Sequence, residues 1–296
     1  MSGQSVARLL ERARRGGAGG LPGALVSRIL TRIRPLTARG WRRAVVLRAR
    51  ERTGFLAPGP LLVLAPHPDD ETLGCGALIA RRLAGGDRVV VAVVTDGRYS
   101  HTSSLLTPDD IARLRATEVL RATAELGVPA EDLVTLGYAE NSLADHIEEV
   151  ADRIAALIDE YTCQGVVVTC SLDWHIDHQS LAASARLAVA RAEASPELAE
   201  YPVWTWAEGP GPRFGPARAQ LRAMRRGITL LRPGAAVRVP TGMFVEAKRR
   251  ALREHRSQTV NLTGEPEWAV MTEDFLEQFL GSDEIFFPVS DGGTSG

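Results

Sequence analysis

Two short stretches of the sequence contain the residue types that bind metal ions and transfer protons. The first is His67-Pro68-Asp69-Asp70-Glu71, which places one imidazole and three carboxylates within five residues. His67 and Asp70 lie three residues apart on a loop that Pro68 stiffens, so both side chains can face one metal ion. Asp69 lies between them and is left free for proton transfer. The alternative is an ordinary His-Pro turn before a helix, because acidic residues in a first helical turn complement the helix dipole.

The second stretch is His175-Ile176-Asp177-His178, about a hundred residues further along the chain. His175 and His178 are three residues apart, so they can share one face of a loop or of a first helical turn. A pair of histidines that caps the start of a helix is the alternative. The chain has only six histidines, so a chance pair at this spacing is the weaker explanation.

Apolar runs of strand length precede both stretches. Residues 61–64 lead into His67, and residues 166–169 lead into the second stretch. A strand that ends in such a loop delivers the polar side chains to the carboxyl edge of a sheet, where open α/β folds bind their ligands. The pattern therefore predicts that both stretches lie at one edge of the same sheet.

Strands and helices are predicted to alternate from residue 61 to residue 191. Besides the two strands above, the pattern predicts strands at 88–95 and 133–136, and helices at 73–84, 108–126, 147–161 and 178–191. This alternation favours right-handed βαβ units and a doubly wound, mostly parallel, Rossmann-like α/β sheet.

The chain beyond residue 196 is predicted to form an irregular C-terminal part. Residues 201–207 alternate like a half-buried strand, residues 213–238 fit two further strands or a lid, and residues 240–253 and 273–280 fit helices. We expect three regions: a basic, partly helical extension over 1–55, one α/β domain over 56–290, and a disordered tail over 291–296.

The charge is distributed unevenly along the chain. The net charge is -1, yet residues 1–53 contain 13 arginines and two acidic residues, and the remainder contains 22 basic and 34 acidic residues. Leu25, Ile29 and Ile33 repeat every four residues with arginines between them, which predicts an amphipathic helix with a basic face. Such a helix either lies on an anionic membrane surface or packs on the body or on a second subunit, and we favour packing. Nucleic acid is not an expected partner, because the helix has no base-stacking aromatic residues.

The cysteines and the hydropathy indicate a cytoplasmic protein, at most peripheral to the inner face of the membrane. The three cysteines form no Cys-x-x-Cys pair, so neither a disulfide framework nor a thiolate zinc site is expected. No apolar run approaches the roughly 20 residues of a membrane-spanning helix. The N-terminus lacks the uninterrupted apolar segment of a secretion signal.

Between residues 60 and 260, the chain resembles the PIG-L or LmbE-like deacetylases. The matches are the two stretches above, Thr95-Asp96-Gly97, Arg115 to Glu118, Leu136-Gly137-Tyr138, and Lys248 followed by His255, Ser257 and Gln258. The resemblance implies a zinc-dependent hydrolase that removes an acetyl group from the nitrogen of an N-acetylated amino sugar or its conjugate. The expected partner is therefore a small-molecule or glycoconjugate substrate.

The resemblance also assigns roles to the residues of both stretches. It implies that His67, Asp70 and His178 bind zinc and that a zinc-bound water attacks the amide, with Asp69 as the general base. Protonated His175 would stabilise the oxyanion, and Asp177 would orient His175. Either Asp69 or His175 could protonate the leaving amine. A site of two histidines and one carboxylate leaves Fe2+ or another divalent ion as an alternative to zinc.

Asp96, Arg115 and Glu140 are the candidates for substrate binding. Asp96 fits a turn before Gly97 equally well, and Arg115 with Glu118 fits a plain surface ion pair better. Glu140 stands where the family tends to have an aspartate. Other residues have structural interpretations: Glu71 would hold a backbone group or an arginine, Lys248 and His255 would tie the C-terminal helix near the site, and His101 and His146 would be solvated.

Two alternative functions remain open. The same site could act on a non-sugar acyl amide of a secondary metabolite. The other alternative is a non-catalytic nucleotide-binding module, because Gly74-Cys75-Gly76 follows the first strand and resembles a dinucleotide-binding turn. The acidic residues before these glycines would repel a pyrophosphate, which disfavours nucleotide binding.

Overall fold

The computed structural model describes residues 37–210 and 217–289, and for residues 217–221 the backbone alone. The helices within these ranges are α1 (37–48), α2 (Asp70–Ala84), α3 (Pro108–Glu125), α4 (Ile147–Glu160), α5 (Ile176–Arg191), α6 (Trp204–Glu208), α7 (Ala217–Thr229), α8 (Val245–Glu254), α9 (Arg256–Thr259) and α10 (Glu273–Leu276). The strands are β1 (Arg50–Glu51), β2 (Leu61–Ala65), β3 (Val89–Thr95), β4 (Leu133–Tyr138), β5 (Gly165–Thr169), β6 (Glu197–Tyr201), β7 (Val237–Pro240) and β8 (Asp283–Val289).

The strands of the described ranges form one open sheet of eight strands in the order β1-β7-β8-β6-β5-β2-β3-β4. The five strands from β6 to β4 pair in parallel, as do β1 and β7, whereas β8 is antiparallel to both of its neighbours. The chain moves outward from β2 through β3 and β4 and then returns to β5 on the other side of β2. The topological switch point, where such sheets bind ligands, therefore lies between β2 and β5.

Both faces of the central strands are buried. The odd-numbered residues of β2 pack with α2, α3 and α8, and its even-numbered residues pack with α4 and α5. A strand covered on both faces has no solvent side, which explains the unbroken valine and alanine run of β3. The predicted doubly wound, mostly parallel α/β sheet is confirmed.

Two helix starts show how the sequence sets local structure. Thr107 caps α3 through a reciprocal capping box with Asp110. α2 begins at Asp70, three residues earlier than predicted, and bends at Cys75. Gly74 fits beside this bend because a Cβ atom there would lie 2.0 Å from the ring of Tyr201. A glycine is therefore required by packing at this position.

The C-terminal part differs from the predictions in three places. The strand predicted at 201–207 is wrong: β6 ends at Tyr201 and α6 follows. Within residues 217–238 the structure has α7 and the start of β7 in place of two strands, and the alternative of a lid stays a prediction. β8 was not predicted, although its Ile285-Phe286-Phe287 run fills the gap between β6 and β7. These elements depend on partners distant in sequence, which local periodicity does not contain.

The described part of the predicted N-terminal extension belongs to the body of the fold. Trp41 and Val45 of α1 join a buried cluster with Phe287 of β8, and β1 pairs with β7. Phe55 and Leu56 are core residues, so no structural boundary falls between 55 and 56. The amphipathic helix predicted around residues 25–33 and the tail at 291–296 lie outside the described residues. None of the helices that the structure describes is both long and apolar enough to span a membrane.

Candidate metal centre and active site

Both sequence stretches lie at the carboxyl edge of the sheet, on either side of the switch point. The first connects β2 to α2, and its loop is held by Thr95 of β3, whose backbone N–H and Oγ1 donate to Pro66 O at 2.9 and 2.8 Å. The second begins α5 directly after β5, the parallel neighbour of β2. Adjacent parallel strands thus bring the two stretches together, as the sequence predicted.

One oxygen of Asp70 lies between two imidazoles. Asp70 Oδ2 is 3.2 Å from His67 Nδ1 and 3.3 Å from His178 Nε2, and all three side chains are buried. Tetrahedral zinc, with bonds of about 2.0–2.2 Å, separates its ligand atoms by about 3.3–3.6 Å. The two separations from Asp70 Oδ2 are therefore close to those between neighbouring zinc ligands.

A second group of three also has ligand-like spacing. Ring nitrogens of His67, His175 and His178 all lie within 4.8 Å of one another. His175 Nδ1 is already occupied, because it accepts the backbone N–H of Asp177 at 3.2 Å. Only Nε2 of His175 remains for a ligand, so His175 can be a metal ligand or can face a substrate.

The residues present fit a divalent cation. His178 Nε2 is buried and makes no hydrogen bond of regular geometry within the described residues, but it faces Asp70 Oδ2 at 3.3 Å, a separation at which both atoms could bind one cation. Burial disfavours charge on His178, but the charge of Asp70 and the hydrogen bond to Asp173 raise its pKa to about 10. Similarly, despite burial, hydrogen bonds to Asp177 and Asp70 raise the pKa of His67 to about 9. The cluster therefore favours added positive charge, which a divalent cation would supply.

Asp173 orients His178, and sequence reasoning missed this role. Its carboxylate lies 2.9 Å from His178 Nδ1 and accepts the backbone N–H groups of Val203 and Thr205 at 3.2 and 2.6 Å. A proton on Nδ1 leaves the lone pair of Nε2 pointing at Asp70. The neighbouring motif was the only signal in the sequence, because the two amides come from a different part of the chain.

Asp177 orients His67 and not His175, which corrects the expectation. Its carboxylate lies 3.1 Å from His67 Nε2 and accepts the backbone N–H groups of Asn141 and Leu143 at 2.6 and 3.1 Å. The physical reason is that Asp177 is the second residue of α5, where its side chain points back toward the loop after β4.

The surroundings of His175 favour its neutral form, whereas the resemblance implied a protonated form. Burial, followed by the charges of His67 and His178, lowers the pKa of His175 to about 3. Because Nδ1 accepts a hydrogen bond, the single ring proton belongs on Nε2. His175 can therefore act as a neutral hydrogen-bond donor through Nε2.

Asp69 has a strained backbone and a buried carboxylate. Its φ of 149° is a conformation that residues with a side chain rarely adopt. Glu71 holds this backbone by accepting the Asp69 N–H at 3.0 Å, as predicted for a residue that binds a backbone group. Burial raises the pKa of Asp69 to about 6, although the charge of Arg115 opposes this.

Arg115 is buried against Asp69, so the surface ion pair with Glu118 was a wrong interpretation. The guanidinium lies 3.0 Å from Asp69 Oδ2 and also donates to Pro68 O. Glu118 is buried too and accepts the N–H and Oγ–H of Ser257 at 2.7 and 2.6 Å. The face of α3 that carries both residues packs on the site, which the helical spacing alone could not reveal.

Asp96 and Glu140 both bind the loop after β3. Asp96 Oδ2 accepts from Arg98 Nε at 2.7 Å, and buried Glu140 accepts the backbone N–H of Tyr99 at 2.7 Å. Their predicted substrate-binding roles, and that of Arg115, stay predictions.

His255 ties the C-terminal helices to the site as predicted, since its Nε2 lies 3.3 Å from Glu71 Oε1. Lys248 lies away from the proposed ligands and pairs with Glu284 of β8 at 2.7 Å. His101 was predicted to be solvated but is buried, stacked on Trp268 at 4.1 Å between ring centroids. Loop position alone did not show this contact.

Half-buried aromatic rings lie beside His175 and were not predicted as part of the site. The ring of Trp174 is 5.6 Å from His175 and 4.9 Å from Trp204, which in turn is 5.7 Å from Phe275. This aromatic cluster gives the site an apolar side next to its polar centre.

Comparisons with known proteins agree with this geometry. Residues 62–189 match the family PIG-L: GlcNAc-PI de-N-acetylase. A 1D-myo-inositol 2-acetamido-2-deoxy-alpha-D-glucopyranoside deacetylase from Streptomyces avermitilis is 28% identical, over 76% of this chain and 90% of that protein. A deacetylase of the same name from Kineococcus radiotolerans is 30% identical, but over only 37% of this chain and 38% of that protein.

A solved structure shows the same fold. The N,N'-diacetylchitobiose deacetylase from Pyrococcus horikoshii, in complex with an inhibitor, superposes with a TM-score of 0.59 at 20% identity, over 86% of this chain and 91% of that one. At this identity the likeness concerns the fold alone. Both curated relatives are deacetylases by name, and the chain spans 38% of one and 90% of the other. Residues 62–189, less than half of the chain, match the PIG-L family model, in agreement with the resemblance seen in the sequence.

Proposed function

We propose that this protein is a metal-dependent hydrolase that removes an acetyl group from the amide nitrogen of an N-acetylated amino sugar or its conjugate. The observation that carries the proposal is the position of Asp70 Oδ2 between His67 Nδ1 and His178 Nε2, at 3.2 and 3.3 Å. The named relatives, which are deacetylases of acetamido sugars, support the substrate class.

The proposed metal ligands are His67, Asp70 and His178, and the proposed ion is zinc. The separations of 3.2 and 3.3 Å from Asp70 Oδ2 support this set, and the alternative set replaces Asp70 with His175, whose ring nitrogen lies within 4.8 Å of those of His67 and His178. When bound there, the ion would polarise the amide carbonyl and lower the pKa of water to about 7.

Asp69 is the proposed general base, which takes a proton from the attacking water. Its pKa of about 6 suits this role, because an ionised carboxylate with a raised pKa is a better proton acceptor near neutral pH. Arg115 and Glu71 hold the carboxylate and the strained backbone of Asp69 in place.

His175 is the proposed donor to the oxyanion that forms on the carbonyl oxygen. A neutral imidazole with its proton on Nε2 supplies a hydrogen bond, and removing one such donor typically lowers kcat about 100–1,000-fold. Asp69, once protonated, is the proposed acid for the leaving amine, since His175 has no second proton to give.

We also propose a cytoplasmic location. The support is that Cys75, Cys163 and Cys170 are all unpaired and buried, as in proteins that do not depend on disulfides. Titration of the unfolded chain without reductant would then give three free thiols, and a disulfide would contradict the proposal.

The test is acetate release by the zinc-loaded full chain. The substrates are N-acetylglucosamine, its inositol conjugate, N,N'-diacetylchitobiose and, for the non-sugar alternative, an N-acetylated aromatic amine. We expect hydrolysis of at least one acetamido sugar and a loss of at least about 100-fold in Asp69→Asn. Asp145→Asn, an exposed aspartate outside the site, is the control. Hydrolysis of the aromatic amide alone would replace the sugar substrate class, and full activity of Asp69→Asn would overturn the mechanism.

A further inference from the structure

Two segments that are distant in sequence carry an unusual charge. Residues 37–55 and 217–240 together contain twelve arginines and a single acidic residue, Glu51. Glu51 is itself paired with Arg238 at 2.6 Å. The whole chain has a net charge of -1, so these segments are far more basic than the chain average, as are residues 1–36, which contain seven arginines and one acidic residue.

The fold brings the two segments side by side. Trp41 Nε1 of α1 donates to Gly227 O of α7 at 2.8 Å, and β1 pairs in parallel with β7. The side chain of Arg50 lies against Gly234 in the loop that follows α7. Arginines from both segments therefore share one region of the surface.

We define the arginine surface as the exposed arginines of these segments, namely Arg39, Arg43, Arg48, Arg50, Arg52, Arg222, Arg225, Arg226 and Arg232. None of the nine forms an ion pair with any residue of the described ranges, whereas many arginines elsewhere do. Like charges held together without acidic partners repel one another, which disfavours the folded state unless an anionic partner binds.

Large apolar side chains lie among these arginines. Leu47 of α1 is 83% exposed and Ile228 of α7 is 60% exposed. Arg39, Arg43 and Leu47 are four residues apart and share one helix face, opposite the buried Trp41 and Val45. A helix face with arginines and exposed leucine is the composition that binds the boundary between lipid headgroups and acyl chains.

We propose that the arginine surface docks the protein on an anionic lipid bilayer, with Leu47 and Ile228 entering the headgroup region. Arginine would pair with lipid phosphates, and the exposed apolar side chains would gain from leaving water. Nucleic acid is the less suitable partner, because Trp41, the one aromatic residue of α1, is buried and unavailable for base stacking.

Docking here would also bring the active site close to the bilayer. α6 connects the two regions through the buried face of α1: Trp206 packs on Trp41 with ring centroids 6.3 Å apart, and Trp204 belongs to the aromatic cluster beside His175. The two regions are thus separated by α1 and one short helix. This inference does not depend on the proposed deacetylase activity.

The test is co-sedimentation of the full chain with vesicles. Phosphatidylcholine vesicles are compared with vesicles containing about 30% phosphatidylglycerol, at low and at high salt. We expect binding only to the anionic vesicles and weakening by salt. Arg43→Glu combined with Arg225→Glu should weaken binding at least about tenfold, and Leu47→Ser should weaken it at both salt concentrations. The matched control combines Arg121→Glu with Arg253→Glu, which are exposed arginines on α3 and α8.

Each other outcome overturns the proposal. Absence of binding to anionic vesicles excludes docking, and equal weakening by the control variant means that net charge alone is responsible. Unchanged binding of the Arg43→Glu, Arg225→Glu variant assigns binding to another part of the chain. Tighter binding to duplex RNA than to vesicles, or salt-sensitive self-association in sedimentation velocity that the same variant abolishes, assigns the surface to a different partner.

Discussion

Asp173→Asn perturbs the proposed metal centre without removing a proposed ligand. Asp173 Oδ1 accepts from Thr205 N at 2.6 Å, and Oδ2 accepts from Val203 N at 3.2 Å and faces His178 Nδ1 at 2.9 Å. Asparagine has one acceptor oxygen and one NH2 group. Whichever way it is oriented, the NH2 group therefore faces at least one of these N–H donors.

The expected losses of metal affinity and of stability in Asp173→Asn follow from the hydrogen bonds that are lost. If the NH2 group faces His178, the imidazole must move its proton to Nε2, the atom proposed to bind the metal. Replacing such an orienting group typically weakens metal affinity about 10–100-fold, or about 1.4–2.8 kcal/mol. A buried donor left without an acceptor also lowers the free energy of unfolding by about 1–3 kcal/mol.

The assay is competition for Zn2+ between the purified full chain and a chelator of known affinity. Urea unfolding of the metal-free protein measures the loss of stability separately. Glu200→Gln is the matched control, because Glu200 is also a buried carboxylate, paired with Arg186 at 2.5 Å and without contact to an imidazole.

Zn2+ affinity of Asp173→Asn equal to that of the wild type would refute the proposed orienting role of Asp173. Equal losses of Zn2+ affinity in Asp173→Asn and Glu200→Gln would refute it as well, since they would indicate general destabilisation. We expect a loss of affinity in Asp173→Asn alone.

Three further predictions concern the base, the packing of α2 and the aromatic cluster. Arg115→Met removes the charge that lowers the pKa of Asp69, so that pKa should rise above about 6. Because the base acts when it is ionised, the acid limb of the kcat/KM profile should move to higher pH. Arg113→Met, at an exposed arginine, is the control, and an unmoved acid limb would contradict the prediction. Gly74→Ala places a Cβ atom 2.0 Å from the ring of Tyr201, and urea unfolding should show a free energy of unfolding lower by about 3 kcal/mol or more. Gly40→Ala is the control and should not lower it, because no atom lies within 4 Å of its Cβ position. Equal stabilities of the two variants would show that the ring of Tyr201 moves away freely. Trp174→Ala should raise KM for the best substrate at least about tenfold with a smaller change in kcat, since an aromatic ring supplies binding area beside the reacting group; a loss confined to kcat would contradict a binding role.

The sequence allowed prediction of those parts of the fold that local patterns determine. Several local features lie where they were predicted: the buried runs of β2, β3 and β5, the cap at Thr107, the loop that carries His67 and the helix start that carries His178. Each of these features depends on residues within a few positions of one another. Such local patterns can be recognised in the sequence without knowledge of the tertiary contacts.

Features that depend on contacts between distant segments could not be predicted. The alternation at residues 201–207 fits a strand, but Asp173 accepts the amides of Val203 and Thr205 and the chain turns there into α6. Arg115 and Glu118 have the spacing of a surface pair, and only the packing of α3 on the site buries them. The partner of Asp177 likewise depends on where α5 begins relative to β4.

The zinc content of two variants tests the central claim most directly. After zinc loading and removal of free metal, inductively coupled plasma mass spectrometry would give the number of ions per chain in Asp70→Ala and in His175→Ala. Because Asp70 is the proposed ligand between His67 and His178, we expect about one ion per chain in His175→Ala and almost none in Asp70→Ala. Zinc retained by Asp70→Ala and lost by His175→Ala would contradict the proposed ligand set.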